Sequence, residues 1–192
     1  MVIAMALAPD KALPDKKEDT KFTPLAASSY ASRQTSEKIT IGVLPYFNDE
    51  DTRPVFGKNN PYKYGVLPVL VVIQNDSPKT IRVQSLQAAW IGPNRDRAEA
   101  TPAKDVRYLT APRRPNATPG VPALIGHKNP LDTWEIEGRA FAAQVLPPGQ
   151  SASGFFYFQT GYQKGSSLYL SGMSEAESGQ ELLYFEIPIV DK

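Results

Sequence analysis

The sequence predicts an all-β protein built as a single antiparallel β-sandwich of about seven strands, and three observations point there. Val66 to Asn75 is an apolar, β-branched run that stops at Asn-Asp-Ser-Pro, the pattern of a buried strand entering a turn. Ile81 to Ile91 restarts a strand pattern a few residues later, so the two runs are expected to pair as antiparallel neighbours. Finally, 18 prolines and 13 glycines in 192 residues suit short strands joined by turns better than helix interiors.

In chain order, Met1–Ala8 ends in Ala6-Leu7-Ala8 ahead of polar Pro9-Asp10-Lys11, which reads as a signal-peptide remnant. From Pro9 to Glu37 large apolar side chains are few, so residues 9–37 are expected to be a flexible leader and residues 38–192 the β-sandwich domain. The first strand places Ile39, Ile41 and Val43 on one face. A long connection follows through Asn48–Asp51 and Pro54–Gly65, and Pro68 belongs near the start of the next strand. In the run from Ile81, the apolar face changes near Ser85, which predicts a bulge. Gly92–Arg95 is a turn, and Ala98–Thr101 returns as a short strand.

The segment Pro102 to Pro130 is a long proline-rich loop. Asp132 and Glu135 have capping-box spacing, and Leu131, Trp134, Gly138, Phe141, Ala142 and Val145 recur at helical intervals, so one short helix is expected within 132–145. The alternation of Trp134, Ile136, Gly138, Ala140 and Ala142 fits a strand equally well, and both readings stay open. Ala152–Gln159, Ser167–Gly172 and Glu181–Val190 are the closing strands, with Pro188 marking an edge.

The stretch Leu146–Phe158, LPPGQSASGFFYF, preceded by strands with an Asn-Asp turn, resembles the immunoglobulin-like β-sandwich domains of exported bacterial proteins of unknown function. The likeness runs from about Lys38 to Val190. It implies an extracytoplasmic sandwich with an interaction or accessory role, and brings no catalytic residue with it.

Composition removes several classes of function. With 21 basic and 20 acidic residues, no global field attracts nucleic acid or an anionic membrane surface. Without cysteine there is neither a disulfide nor a cysteine-zinc site. No apolar run approaches the ~20 residues of a membrane span. His127 is the sole histidine, so a two-histidine metal site is excluded and a serine triad would depend on this one loop residue. Gly149-Gln150-Ser151-Ala152-Ser153 fails the nucleophile-elbow pattern at its last position. Glu135 with Glu137, and Glu175 with Glu177, are carboxylate pairs of the type that hydrolyse glycosides, although surface roles explain them more simply. Asn48–Asp51 offers calcium-type oxygens without the glycine and distal glutamate of an EF-hand loop.

Two groups of residues remain as candidates. Arg95 to Lys128 carries seven basic residues against three acidic ones, which makes Arg107, Arg113, Arg114, His127 and Lys128 candidates for contact with a partner. Tyr46, Phe56, Tyr62 and Tyr64 surround a loop with Asn59 and Asn60, a composition that could stack on a sugar ring. The sequence therefore predicts a non-catalytic extracytoplasmic interaction or accessory module, periplasmic or secreted, without metal or cofactor. Its expected partner is another protein or a cell-envelope component, and the alternative is a carbohydrate or small-ligand binding module.

Overall fold

The structure, a computed structural model, describes residues 22–109 and 129–191. The expected signal-peptide remnant and the first part of the leader lie outside the described residues.

The chain forms β1 (Ser32–Ser36), β2 (Ile39–Pro45), α1 (Asp49–Phe56), β3 (Leu67–Asn75), β4 (Ile81–Arg82), β5 (Gln87–Ile91), β6 (Arg97–Thr101) and α2 (Ala103–Val106). Beyond residue 128 come α3 (Trp134–Gly138), β7 (Val145–Leu146), β8 (Ser151–Phe158), β9 (Ser167–Ser171), β10 (Ser174–Glu175) and β11 (Phe185–Pro188). Eight strands make one sheet in the order β1-β2-β3-β8-β6-β5-β9-β11, and a small ribbon is ordered β10-β4-β7. Among the described residues, every pair of these strands is antiparallel. The first and last strands of the large sheet pack against each other, and the Val190 N–H donates to the buried Ser32 hydroxyl at 2.9 Å. The prediction of an all-β antiparallel fold holds, but the seven-strand sandwich is replaced by one eight-stranded sheet that curls almost into a barrel.

Strand β3 explains its own sequence. Leu67, Val69, Val71 and Ile73 face the barrel interior with Trp90, Phe158, Leu168 and Ile187. Its alternate residues Leu70 and Val72 join a second core with Val55, Phe56, Ile136 and Phe155, under α1 and α3. A strand covered on both faces must be apolar throughout, and each such side chain contributes about 2 kcal/mol on burial.

The expected pairing of 66–75 with 81–91 does not form. β3 lies between β2 and β8 instead. Residues 81–91 are not one strand either: β4 belongs to the small ribbon and β5 to the large sheet. Between them, the N–H groups of Val83 and Gln84 both donate to the Gln144 carbonyl, at 2.8 and 3.0 Å. The change of apolar face at Ser85 therefore marks a change of sheet rather than a bulge.

The leader is also shorter than predicted. Ala27 and Tyr30 are buried and β1 pairs with β2, so the chain is packed well before Lys38. Gly42 makes this possible, because a Cβ there would lie 2.6 Å from both the Ala27 carbonyl oxygen and the Tyr30 ring.

α1 occupies part of the expected connection. Asn48 caps it by accepting from the Asp51 N–H at 2.7 Å, and three acidic residues in its first turn complement the helix dipole. Over 132–145 each reading is half right. The helix stops at Gly138, and the chain then runs extended, with Ala140 bridged to Phe155. Asp132 does not cap this helix; Thr133 holds that position without a side-chain bond. Strands β6, β8 and β9 fall where the sequence placed them, and Pro188 sits on an edge strand. No helix among the described residues is long and apolar enough to cross a membrane.

Candidate functional site

The large sheet forks at β6. β6 pairs with β5 from Ile91–Arg97 to Ala89–Glu99, then transfers to β8 through Ala100–Phe158 and Thr101–Tyr157. The next rung toward β5, Ala88 with Ala100, is not made, and the strands diverge. A cleft of about 450 Å³ opens there, lined by Leu86, Ala88, Ala100, Thr101, Phe141 and Phe156 among others. A second cleft of about 280 Å³ shares Leu86, Phe141 and Phe156 with it and continues past Val83 and Gln144. The rings of Phe141 and Phe156 stack with centroids 5.5 Å apart. Gln87 and Glu99 add polar groups at the rim, and Glu99 is held by the Arg97 guanidinium. The lining thus mixes aromatic rings with a few polar groups.

One wall of the fork is a strap, residues 139–141, laid on the outer edge of β8. The Phe155 N–H donates to the Arg139 carbonyl at 2.9 Å, and the Phe141 N–H to the Phe155 carbonyl at 3.1 Å. Gly154 lets the strap approach, since a Cβ there would lie 2.3 Å from Phe141 Cα.

The predicted aromatic site does not assemble. Phe56 is 2% exposed and Tyr46 6%, and both rings pack edge-on against Phe155 in the second core, at 5.0 and 5.2 Å. Burial pushes the Tyr46 hydroxyl well above its ordinary pKa. Tyr62 is half-buried, its hydroxyl accepting from the Tyr162 N–H at 3.1 Å, while Tyr64 alone is exposed. The cluster was legible in sequence, but two of its four rings turn inward and offer no face to a sugar.

Of the basic candidates, Arg113, Arg114, His127 and Lys128 lie outside the described residues. Arg107 is described, and its charge is engaged. Its guanidinium reaches Asp132 at 3.4 Å and contacts Glu137, and its carbonyl accepts from the Asn129 side chain. It thus ties the end of α2 to α3 and to the residues just before it rather than presenting a free cation.

Two of the candidate carboxylates, Asp49 and Glu175, are engaged in the same way. Asp49 accepts from Asn60 and Lys63, which hold it below its usual pKa. With Asn48 capping α1, the sequence reading of a calcium-type loop gives way to a helix start. Lys79 and Ser178 hold Glu175 low. Among the described residues, no group of three or more His, Cys, Asp or Glu is placed to hold a metal ion.

Sequence reasoning passed over Arg139. Its guanidinium carbon lies 5.5 Å from the Phe22 ring centroid and 5.8 Å from that of Trp134. Its Nε is buried and has no hydrogen-bond partner. The exposed Trp134 ring folds back over Gly138, where a Cβ would lie 2.8 Å from the indole. The available signal was the sequence Trp134…Gly138-Arg139, where the glycine makes room for the ring.

No family model matches the sequence, and no curated protein matches it. Among similar solved structures, three share low identity and low TM-scores with this chain. A putative ApaA protein from Bordetella pertussis shares 14% identity, over 84% of this chain and 92% of that one, with a TM-score of 0.37. A functionally unknown protein from Listeria monocytogenes also shares 14%, over 84% and 82%, at 0.38. The secreted protein MPT63 from Mycobacterium tuberculosis shares 12%, over 81% and 92%, at 0.32. Overlaps this loose transfer no function to the chain.

Proposed function

We propose that this chain is a non-catalytic module acting outside the cytoplasm, which binds another protein or a cell-envelope component through the cleft at the fork of its sheet. One observation carries the reading: the unmade Ala88–Ala100 rung opens a cleft floored by the stacked Phe141–Phe156 pair. Such a cleft supplies backbone polar groups and aromatic surface, which suit binding more than bond-breaking. The structural use of Arg107, Asp49 and Glu175 supports the same view. The resemblance of Leu146–Phe158 to immunoglobulin-like exported domains supports the location. On composition alone, Arg113, Arg114, His127 and Lys128 contribute to partner contact.

A photo-reactive side chain at Gln87 should cross-link one defined component in native extract, whereas the same group at Tyr64 should not. Equal labelling from both positions would remove the cleft from the proposal. Replacing Arg113 and Arg114 by alanine should leave the melting temperature unchanged and weaken capture of an acidic partner. Recovery of the native protein from the cytoplasm with Met1 intact would overturn the proposed location.

A further inference from the structure

A third cleft lies across the 139–141 strap from the fork. It measures about 180 Å³ and is lined by Phe22, Leu70, Arg139, Ser153 and Phe155 among others. Arg139 is its one charged residue.

The Arg139 main chain is fixed, its N–H donating to the Glu135 carbonyl at 3.1 Å and its carbonyl accepting from Phe155. Its side chain has no such anchor. None of the ion pairs among the described residues includes it, and Nε is a buried donor without an acceptor. The nearby rings of Phe22 and Trp134 favour the cation but accept no N–H bond in the guanidinium plane. A buried donor left unmade is costly, and the planar fork of an arginine matches the two oxygens of a carboxylate. The rest of the wall combines main-chain polar groups and the Ser153 hydroxyl with the apolar side chains of Phe22, Leu70 and Phe155.

We propose that Arg139 anchors a binding site for a small organic carboxylate whose apolar body rests on Phe22, Leu70 and Phe155. The carboxylate pairs with the Arg139 guanidinium, and the volume limits the body to a short chain or a single ring. The site shares Ala140 and Phe155 with the lining of the fork but not Phe22, Leu70 or Arg139, so its failure leaves the preceding proposal standing.

The test is an NMR titration of the full chain with sodium hexanoate, with hexanol and inorganic phosphate as controls. Hexanoate should shift the Arg139 Nε–H and Trp134 indole signals saturably. Hexanol, which lacks the charge, and phosphate, which lacks the tail, should shift them at least tenfold more weakly. Arg139→Gln should lower hexanoate affinity about tenfold or more, and Arg139→Lys should restore only part of it. Equal responses to hexanoate and hexanol would overturn the proposal, as would a phosphate response matching hexanoate or unchanged binding by Arg139→Gln. Because the wild-type comparison of the three probes stands alone, it decides the matter even if a variant fails to fold.

Discussion

The side-chain amide of Asn75 donates to the Leu146 carbonyl at 2.9 Å, joining positions 71 residues apart. The same amide donates to the Lys79 carbonyl at 2.8 Å, and its oxygen accepts from the Ser77 hydroxyl and N–H at 2.6 and 3.1 Å. Asn75 is fully buried, so this one side chain fastens the end of β3, the turn after it, and the start of the 147–150 turn. Asn75→Ala strands the Leu146 carbonyl and leaves the Lys79 carbonyl and the Ser77 hydroxyl only each other, at 3.2 Å. Urea denaturation should show a loss of about 3 kcal/mol. A loss within ~0.5 kcal/mol would mean that the network is not needed.

Gly154→Ala drives a methyl group into the strap backbone at Phe141 and Ala140. The expected cost is about 2 kcal/mol, as for other overpacked sites. Hydrogen exchange should localise it: the Phe141 and Phe155 amides lose protection while those of β2 do not. Uniform loss of protection would point to a global effect instead.

The β1–β2 hairpin turns through Glu37 and Lys38, both with positive φ, at 51° and 62°. A type I′ turn prefers Asn-Gly there, because side chains with a Cβ resist the left-handed region. Lys38→Gly should therefore stabilise the protein by about 1 kcal/mol, or roughly 3 °C in melting temperature. Unchanged or lowered melting would show that the Lys38 side chain compensates for the strain.

Acid should weaken the contact between Lys79 and Glu175. The hydrogen bond from Lys79, then that from Ser178, holds the Glu175 carboxyl below its ordinary value of 4.5. The unfolded chain takes up this proton first, so the stabilisation is complete above pH 4.5 and fades as the pH falls through the depressed value. Lys79→Met removes the largest cause. Its melting temperature should fall less steeply than that of the wild type between about pH 5 and pH 3. Asp49 and Asp191 are depressed too, so part of the slope should remain. Parallel curves for the two proteins would refute the assignment.

Strand content was readable wherever one segment fixed its own pattern. Val69, Val71 and Ile73 announce a buried strand, and Phe155 to Phe158 another, because burial demands apolar side chains whatever the neighbours are. Pairing was not readable, since nothing local tells β3 that its partners are β2 and β8. The helix at Asp49–Phe56 hid behind Pro54 and an acidic run that also resembles a loop, although Asn48 three residues before Asp51 is a capping signal. The candidate sites were the least legible. Arg139 becomes notable only when Phe22, far away in sequence, arrives beside it, and the fork exists only because β6 changes partners.

The seam between β1 and β11 gives the molecule a mechanical direction. Among the described residues, a load applied across it meets the hydroxyl-to-amide bond between Ser32 and Val190, just past β11, and the packing beside it, whereas neighbouring strands elsewhere in the large sheet are joined by hydrogen-bonded rungs. Under tension between these two strands the sheet should yield here first, unrolling while β2, β3 and β8 stay zipped. A force-extension trace would record that as a small early step ahead of the main rupture.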